Sequence, residues 1–316
     1  GAIMVQTVLY NVIRKREVQA MKNTLTIGIS SRALFDLSKE HEIFINEGTK
    51  AYVDFQIAHE KEVLPKGPAF GLVQSLLSLN GNGGEEPVAE VIIMSQNSAD
   101  AALRIFNSIE AYGLDIKRAA LTTGKSIAPY LKAYGVDLYL SADEEDVNQA
   151  MDAGVAAGII MGTSTEDVAA GQIRIAFDGD CVLFSDEAER IFQTEGIEAF
   201  GTHEKEYACK PLAKGPFANF LSSVSKLQSL YSDVDCAPIR TALITARMAP
   251  AHERVIRTLR AWNVRIDEMH FLGGREKAAV VKAFGAHIFF DDSLENTTLA
   301  STVVLSARVP SYLKVV

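Results

Sequence analysis

Cysteine is scarce in this chain. Cys181, Cys209 and Cys236 are the three in 316 residues. They are an odd number and far apart, so neither a disulfide framework nor a zinc motif can be read from them, and a reducing cytoplasm is the expected setting. Basic charge is also short: 31 Lys and Arg face 40 Asp and Glu, for a formal net charge of −9. That argues against a nucleic-acid polymer as partner, which wants a basic stripe, but not against a small anion, which requires only local donors and a metal. No apolar run approaches the ~20 residues of a membrane span. Val5 to Ile13 is apolar but short, contains Gln6 and Asn11, and precedes Arg14, Lys15 and Arg16, the reverse of a secretory signal. A helical extension is expected over residues 1–23, with Gly1-Ala2-Ile3 reading as an expression remnant ahead of Met4. His41, His252, His270 and His287 show no metal-ligand spacing. What is abundant is apolar: 48% of residues are hydrophobic, enough for large cores, and the length suits two domains of ordinary size.

The chain reads as if written twice. With an offset of 150, Ile92-Ile93-Met94-Ser95 lies over Ala242-Leu243-Ile244-Thr245, and Lys132-Ala133-Tyr134-Gly135 over Lys282-Ala283-Phe284-Gly285. Leu138-Tyr139-Leu140-Ser141-Ala142 then lies over Ile288-Phe289-Phe290-Asp291-Asp292. Upstream, His59-Glu60-Lys61-Glu62 recurs as His203-Glu204-Lys205-Glu206, and Lys66-Gly67-Pro68 as Lys214-Gly215-Pro216. Identical short runs in the same order are hard to obtain from shared patterning alone, so duplication is the expectation.

Each copy alternates strands with helices. A strand (Leu25 to Ser30; Ile173 to Phe177) leads into a helical insertion. Strands follow at Ala89 to Met94 and Thr241 to Ile244, at Arg118 to Leu121 and Glu268 to Phe271, and at Val136 to Leu140 and Ala286 to Phe290, with helices between them. The pattern predicts an α/β fold of two tandem Rossmann-like, three-layer units with mainly parallel sheets. The expected boundaries are 24–165 for a degenerate unit and 166–316 for a catalytic one, joined through the small, polar run Gly162 to Gly171, with a helical cap-type insertion at about 187–238. Whether the two units share one sheet is left open. The run Asn80-Gly81-Asn82-Gly83-Gly84 lacks the Lys-Ser/Thr ending of a phosphate loop and reads as a surface loop.

Ligands of open α/β sheets sit outside the carboxyl ends of the strands. There the second copy carries Asp178, Asp180, Thr245, Asp291 and Asp292, where the first has Ser30, Arg32, Ser95, Ser141 and Ala142. Generic strand-end punctuation would have kept acids in both. Lys277 falls opposite Ile127 and is special to the second copy, whereas Lys282 recurs as Lys132. Asp178 and Asp180 lie two residues apart on one side of an extended chain, and like charges that close need a cation or a shared proton. The set suits phosphoryl transfer. One carboxylate can attack phosphorus, a second carboxyl can exchange protons, a hydroxyl and an ammonium can hold phosphoryl oxygens, and Mg²⁺ on oxygen ligands can offset the repulsion.

Asp178-x-Asp180-x-Val182, strand-end Thr245, Lys277 and Asp291-Asp292 resemble the four motifs of the haloacid dehalogenase-like hydrolases. Ile29-Ser30-Ser31-Arg32-Ala33-Leu34-Phe35-Asp36, Tyr112-Gly113-Leu114-Asp115-Ile116, Leu140-Ser141-Ala142-Asp143-Glu144 and His287-Ile288-Phe289-Phe290-Asp291-Asp292 are similar to the cytosolic type I 5′-nucleotidases, from about Thr24 to the end. The resemblance implies Mg²⁺-dependent hydrolysis of nucleoside 5′-monophosphates such as AMP. It implies Asp178 as nucleophile, Asp180 as general acid/base, Thr245 on the phosphate and Lys277 steadying the phosphoaspartate. Asp291 and Asp292 would hold Mg²⁺ with Asp178 and the backbone carbonyl of Asp180. Substrate contacts are expected from Ala246, Arg247 and Lys214 and, in the first copy, from Ser30, Ser31 and Arg32. Many members of the wider superfamily carry Thr where this chain has Val182. Homo-oligomerisation is compatible with the resemblance. The competing expectations are a phosphatase for another small ester and a nucleotide-binding or assembly protein without turnover.

Overall fold

The computed structural model describes residues 24–81, 87–162, 171–233 and 235–311. The expected opening helix over 1–23, most of the Gly-rich run and residues 163–170 of the expected linker lie outside the described residues. Among the described residues ten strands form one sheet in the order β3-β2-β1-β4-β5-β10-β9-β6-β7-β8. In the first half β1 is Leu25–Ile29, β2 Ala89–Ser95, β3 Arg118–Leu121, β4 Leu138–Ser141 and β5 Ala156–Met161. In the second, β6 is Ile173–Phe177, β7 Ile239–Thr245, β8 Glu268–Phe271, β9 Ile288–Asp291 and β10 Ser306–Arg308. The two halves have the same internal strand order and all pairs within each are parallel. Among the described strands the one antiparallel pair, β5 with β10, joins them.

β5 and β10 are the two strands the sequence pattern does not predict. β5 opens on Ala156-Ala157-Gly158, without the β-branched and aromatic residues that mark strands, and has only Ile159 and Ile160 of that kind, while β10 spans three residues. Close packing explains the small residues: a Cβ on Gly158 would stand 2.9 Å from the Ala307 Cβ and 3.3 Å from the Phe290 ring. The junction also sets the direction of everything else. Because β5 and β10 run oppositely, the carboxyl ends of the first-half strands and those of the second-half strands open on opposite edges of the sheet.

Eleven helices among the described residues cover the two faces. In the first half these are α1 (Ser31–Leu34), α2 (Ser38–Ala58), α3 (Phe70–Ser78), α4 (Ala99–Ala111), α5 (Ala128–Leu131) and α6 (Glu144–Asp152). In the second they are α7 (Glu187–Glu206), α8 (Ala218–Gln228), α9 (His252–Ala261), α10 (Ala278–Phe284) and α11 (Leu294–Ser301). Strand alternation divides the core. Leu25, Ile27 and Ile29 of β1 and Ile173, Ile175 and Phe177 of β6 face one continuous cluster that runs across both halves. On the other face each half has its own smaller cluster, one around Met94 and Tyr139, the other around Ala176, Ile244 and Phe289. The Ser223 hydroxyl of α8 donates to Asp137 at 2.7 Å, so a second-half helix is tied to the start of β4.

Local details recur at the expected offsets. The long helices α2 and α7 are each broken by a glycine at φ 85°, Gly48 and Gly196. Ser108 Oγ accepts from Leu64 N, and Thr258 Oγ1 accepts from Leu212 N, both at 2.9 Å. Gly67 and Gly215 have one reason to be glycine: a Cβ would lie 2.7 Å from Phe35 backbone atoms in one case and 2.4 Å from the Phe184 carbonyl oxygen in the other. The repeated Lys-Gly-Pro therefore records a close backbone approach. His59 stacks on Phe55 and His203 on Tyr207, at 3.9 and 4.5 Å between ring centres. No helix among the described residues is long and apolar enough to cross a membrane.

Candidate active site

Four segments meet at the carboxyl edge of the second half. β6 ends at Phe177, and Asp178 follows with its N–H donating to the Phe290 carbonyl oxygen of neighbouring β9 at 2.8 Å. A tight turn then brings the N–H groups of Leu183 and Phe184 back to the Gly179 carbonyl oxygen at 3.0 and 2.9 Å. Cys181 takes a left-handed conformation in this turn (φ 63°), an uncommon one for a side-chain-bearing residue. β9 supplies Asp291, β7 supplies Thr245, and Lys277 stands at the amino end of α10.

Oxygens of Asp178, Asp291 and Asp292 all lie within 4.8 Å of one another. Lys277 Nζ donates to Asp178 Oδ1 at 2.7 Å and to Asp291 Oδ2 at 2.6 Å. Asp291 is held further by the Ser293 N–H at 2.9 Å and by the Asn296 amide at 3.1 and 3.2 Å. Asp291 and Lys277 are 0% and 3% exposed, and Asp178 is 8% exposed, so water does little to neutralise them. One ammonium faces three carboxylates. Burial would lower Lys277, but Asp178 and Asp291 outweigh it and hold it charged. Burial, with Asp291 and Asp292 adding to it, pushes Asp178 well above the carboxylate range against the pull of Lys277. Burial and Asp291 raise Asp292 to about 7. A divalent cation satisfies this set: three hard oxygen donors converge with an uncompensated negative charge. Cys181 is no rival nucleophile, because burial and the Asp292 charge beside it push its thiol up and keep it protonated.

Thr245 is 1% exposed. Its Oγ1 accepts the Arg247 N–H at 3.3 Å and lies 3.1 Å from where a Cβ on Gly179 would stand. A side chain at position 179 would therefore meet the hydroxyl. Asp180 is engaged elsewhere: Arg247 Nε donates to its Oδ2 at 2.8 Å and Nη2 to its Oδ1 at 2.7 Å. Arg247 Nη1 also donates to Glu204 Oε2 at 2.5 Å, while Arg254 Nη1 donates to Glu204 Oε1 at 2.6 Å. Glu204 sits on α7 and is fully buried. This chain of charges runs from the strand end into the helical insertion, and sequence reasoning missed Glu204 and Arg254. A signal existed for Arg247, since Asn97 occupies its place in the first half. None existed for Glu204, which matches Glu60.

The other expected contacts fall into three places. Ala246 follows Thr245 at the strand end, and its carbonyl oxygen accepts the Gly274 N–H at 3.0 Å. Lys214 is exposed and lies over the Trp262 ring at 5.9 Å. Ser30, Ser31 and Arg32 are not brought to Asp178. They border a cavity of the first half, on the opposite sheet edge and five strand spacings away, about 24 Å along the sheet.

A family model described as 5′-nucleotidase matches residues 17–315. Human cytosolic 5′-nucleotidase 1B is 38% identical over 283 residues, which cover 86% of this chain and 46% of that protein. The chain thus spans about half the length of this curated relative. Among solved structures, a histidinol dehydrogenase from Elizabethkingia anophelis overlays on 89% of this chain and 79% of its own with a TM-score of 0.25 and 11% identity, too low to carry an argument about fold or function. The match over nearly the whole sequence settles the affiliation: the chain belongs to the 5′-nucleotidase family.

Proposed function

We propose that this protein is a cytosolic, Mg²⁺-dependent 5′-nucleotidase that hydrolyses nucleoside 5′-monophosphates to nucleoside and phosphate. On this reading residues 24–165 and 166–316 are tandem units of the haloacid dehalogenase-like type, the second catalytic, with a cap insertion at about 187–238. The observation that carries the proposal is the convergence of Asp178, Asp291 and Asp292 within 4.8 Å around the Lys277 ammonium, in a member of a 5′-nucleotidase family.

Asp178 is the nucleophile. Its carboxylate oxygen, kept ionised against burial by Lys277 and by the cation the site would hold, attacks phosphorus, the ester P–O bond breaks, and an aspartyl-phosphate forms. Asp180 gives a proton to the departing sugar oxygen and later takes one from the water that cleaves the acyl phosphate. To do so Asp180 must leave part of its two-pronged contact with Arg247. Lys277 neutralises Asp178 and Asp291 and steadies the phosphorylated side chain. Thr245 and the neighbouring backbone N–H groups orient the phosphoryl oxygens, in line with a reaction that depends mostly on positioning and charge. Mg²⁺ held by Asp178, Asp291, Asp292 and the backbone carbonyl of Asp180 would supply charge neutralisation between the nucleophile and the substrate. Ala246, Arg247 and Lys214 are the proposed substrate contacts on this side of the sheet.

The test is phosphate release from AMP, with and without Mg²⁺, by the wild type and by Asp178→Asn. The expected result is Mg²⁺-dependent release that falls at least about a thousandfold in the variant, the scale seen when a nucleophile is removed. Undiminished turnover by Asp178→Asn would end the mechanism.

A further inference from the structure

The first half keeps the cleft that corresponds to the acidic site and changes its chemistry. A cavity of about 710 Å³ opens at the carboxyl ends of β1, β2 and β4, within the range of small-molecule sites. Ser30 stands in the place of Asp178, Ser95 in that of Thr245 and Ser141 in that of Asp291, while Ile127 replaces Lys277. Hydroxyls or hydrocarbon thus replace Asp178, Asp291, Asp292, Thr245 and Lys277, an amide (Asn97) replaces Arg247, and Arg32 stands in the place of Asp180.

The remaining charge is of the wrong sign for phosphate. Asp100, Asp143, Glu145 and Asp146 border the cavity, and among the described residues Arg32 is the one Lys or Arg that does. His41 adds little, because burial and nearby Arg32 lower its pKa. A phosphate dianion entering here would face excess carboxylate without the ammonium that serves the other half. The ligand that fits is uncharged.

The walls say more about it. On one side α2 presents three rings: His41 stacks on Phe44 at 6.4 Å, and Tyr52 meets Phe44 edge-on at 6.1 Å. Phe44 is 43% exposed at the cavity rim, a large apolar face with room for a planar partner. The floor is polar and already ordered. Tyr52 OH donates to Asn97 Oδ1 at 2.9 Å, Asn97 Nδ2 donates to Ser31 Oγ at 3.1 Å, and the Ser31 and Ser95 hydroxyls lie 3.3 Å apart. Exposed Glu145 adds a carboxylate able to accept from a sugar diol.

We propose that this first-half cleft is a second ligand site that binds an uncharged ribonucleoside, with its base on the Phe44–Tyr52 wall and its sugar over the Ser31–Asn97 floor. The ligand class follows from the residues of the cleft itself, so it stands whether or not the acidic site hydrolyses nucleotides. If both hold, the enzyme carries a product-binding site on the sheet edge opposite its catalytic one.

Calorimetric titration of the whole chain tests this without turnover. Adenosine, ribose and inorganic phosphate are titrated into wild type, Phe44→Ala, Tyr52→Phe and Asp178→Asn, with AMP added only to Asp178→Asn. Phe44 is exposed enough that its removal leaves the core intact, and circular dichroism checks the fold of each variant. The expected result is adenosine binding that is equal in wild type and Asp178→Asn and weakened at least about tenfold in Phe44→Ala, the scale of a lost base–aromatic stack. Tyr52→Phe should weaken it less, and ribose and phosphate should give no heat dependent on Phe44. Three results would overturn the proposal: no adenosine binding, adenosine binding lost in Asp178→Asn but kept in Phe44→Ala, or Phe44-dependent binding of AMP or phosphate tighter than that of adenosine.

Discussion

Arg247 grips Asp180 with two parallel hydrogen bonds, Nε to Oδ2 at 2.8 Å and Nη2 to Oδ1 at 2.7 Å, and its third nitrogen reaches Glu204 on α7. The fork fixes the carboxylate in orientation as well as charge. It also makes the helical insertion part of the site, because displacement of α7 would move the arginine that holds the proposed acid/base. Arg247→Lys retains a charge but cannot make the fork. The expected outcome is a fall in kcat of about tenfold or more with a smaller change in KM for AMP, consistent with a misplaced acid/base. Equal losses in Arg247→Lys and Arg247→Ala would show that the charge is irrelevant, and unchanged kinetics in both would remove Arg247 from the site.

Among the described residues Lys277 is the one ammonium against Asp178 and Asp291, in a region almost closed to water. Lys277→Met leaves those carboxylates uncompensated, which costs roughly 3–5 kcal/mol when one partner of a buried pair is removed. The variant should therefore melt several degrees lower in chelator. Adding Mg²⁺ should raise its melting temperature more than that of wild type, because the ion then supplies the only local positive charge. Thermal melts with and without Mg²⁺ read this directly; an equal Mg²⁺ response in the two proteins would contradict it.

Glu204 gives the pH dependence a definite sign. Burial acts to raise its pKa, but Arg247 and Arg254 outweigh burial and leave it below the ordinary glutamate value. A carboxyl depressed on folding stabilises the fold fully above its unfolded pKa of about 4.3 and loses that contribution as pH falls through the folded value. The melting-temperature advantage of wild type over Glu204→Gln should be constant from neutral pH to about 5 and narrow on further acidification. An advantage that grows below pH 5 would reverse the assignment.

Gly215 and Gly67 are predicted to be intolerant for the same steric reason. Alanine at 215 would place Cβ 2.4 Å from the Phe184 carbonyl oxygen, and alanine at 67 would place it 2.7 Å from Phe35 backbone atoms. Backbone on both sides leaves no flexible group to yield, so each substitution should cost at least about 1–3 kcal/mol. Gly201→Ala, where nothing lies within 4 Å of the added Cβ, is the control; chemical denaturation of the three variants should rank 201 well above 67 and 215.

Much of this arrangement was legible in the sequence because it is written in local patterns. β1, β2, β6 and β7 are each dominated by apolar residues, and acids emerge from strands in one copy only, so a parallel α/β scaffold with one acidic edge is legible from the sequence. The joining of the halves is not. It depends on β5 and on three-residue β10, whose pairing is between backbone atoms and whose small residues answer to Phe290 and Ala307 across the junction. That junction decides which edge each site faces, and for this reason Ser30 and Arg32 lie far from Asp178 although they occupy the matching positions. The cross-strand pair Glu90–Arg118 shows the same limit: in the second half it recurs with its charges exchanged, as Arg240–Glu268. A residue-by-residue comparison sees two mismatches where the structure keeps one interaction.

The account turns on Asp178, Asp291 and Asp292 sharing one divalent ion. Electron paramagnetic resonance of Mn²⁺ titrated into the protein counts that ion directly. One Mn²⁺ per chain should bind to wild type, be displaced by Mg²⁺, and be weakened at least about tenfold in both Asp291→Asn and Asp292→Asn, since each removes an anionic oxygen donor. Mn²⁺ bound to both variants as tightly as to wild type would show that these carboxylates hold no metal.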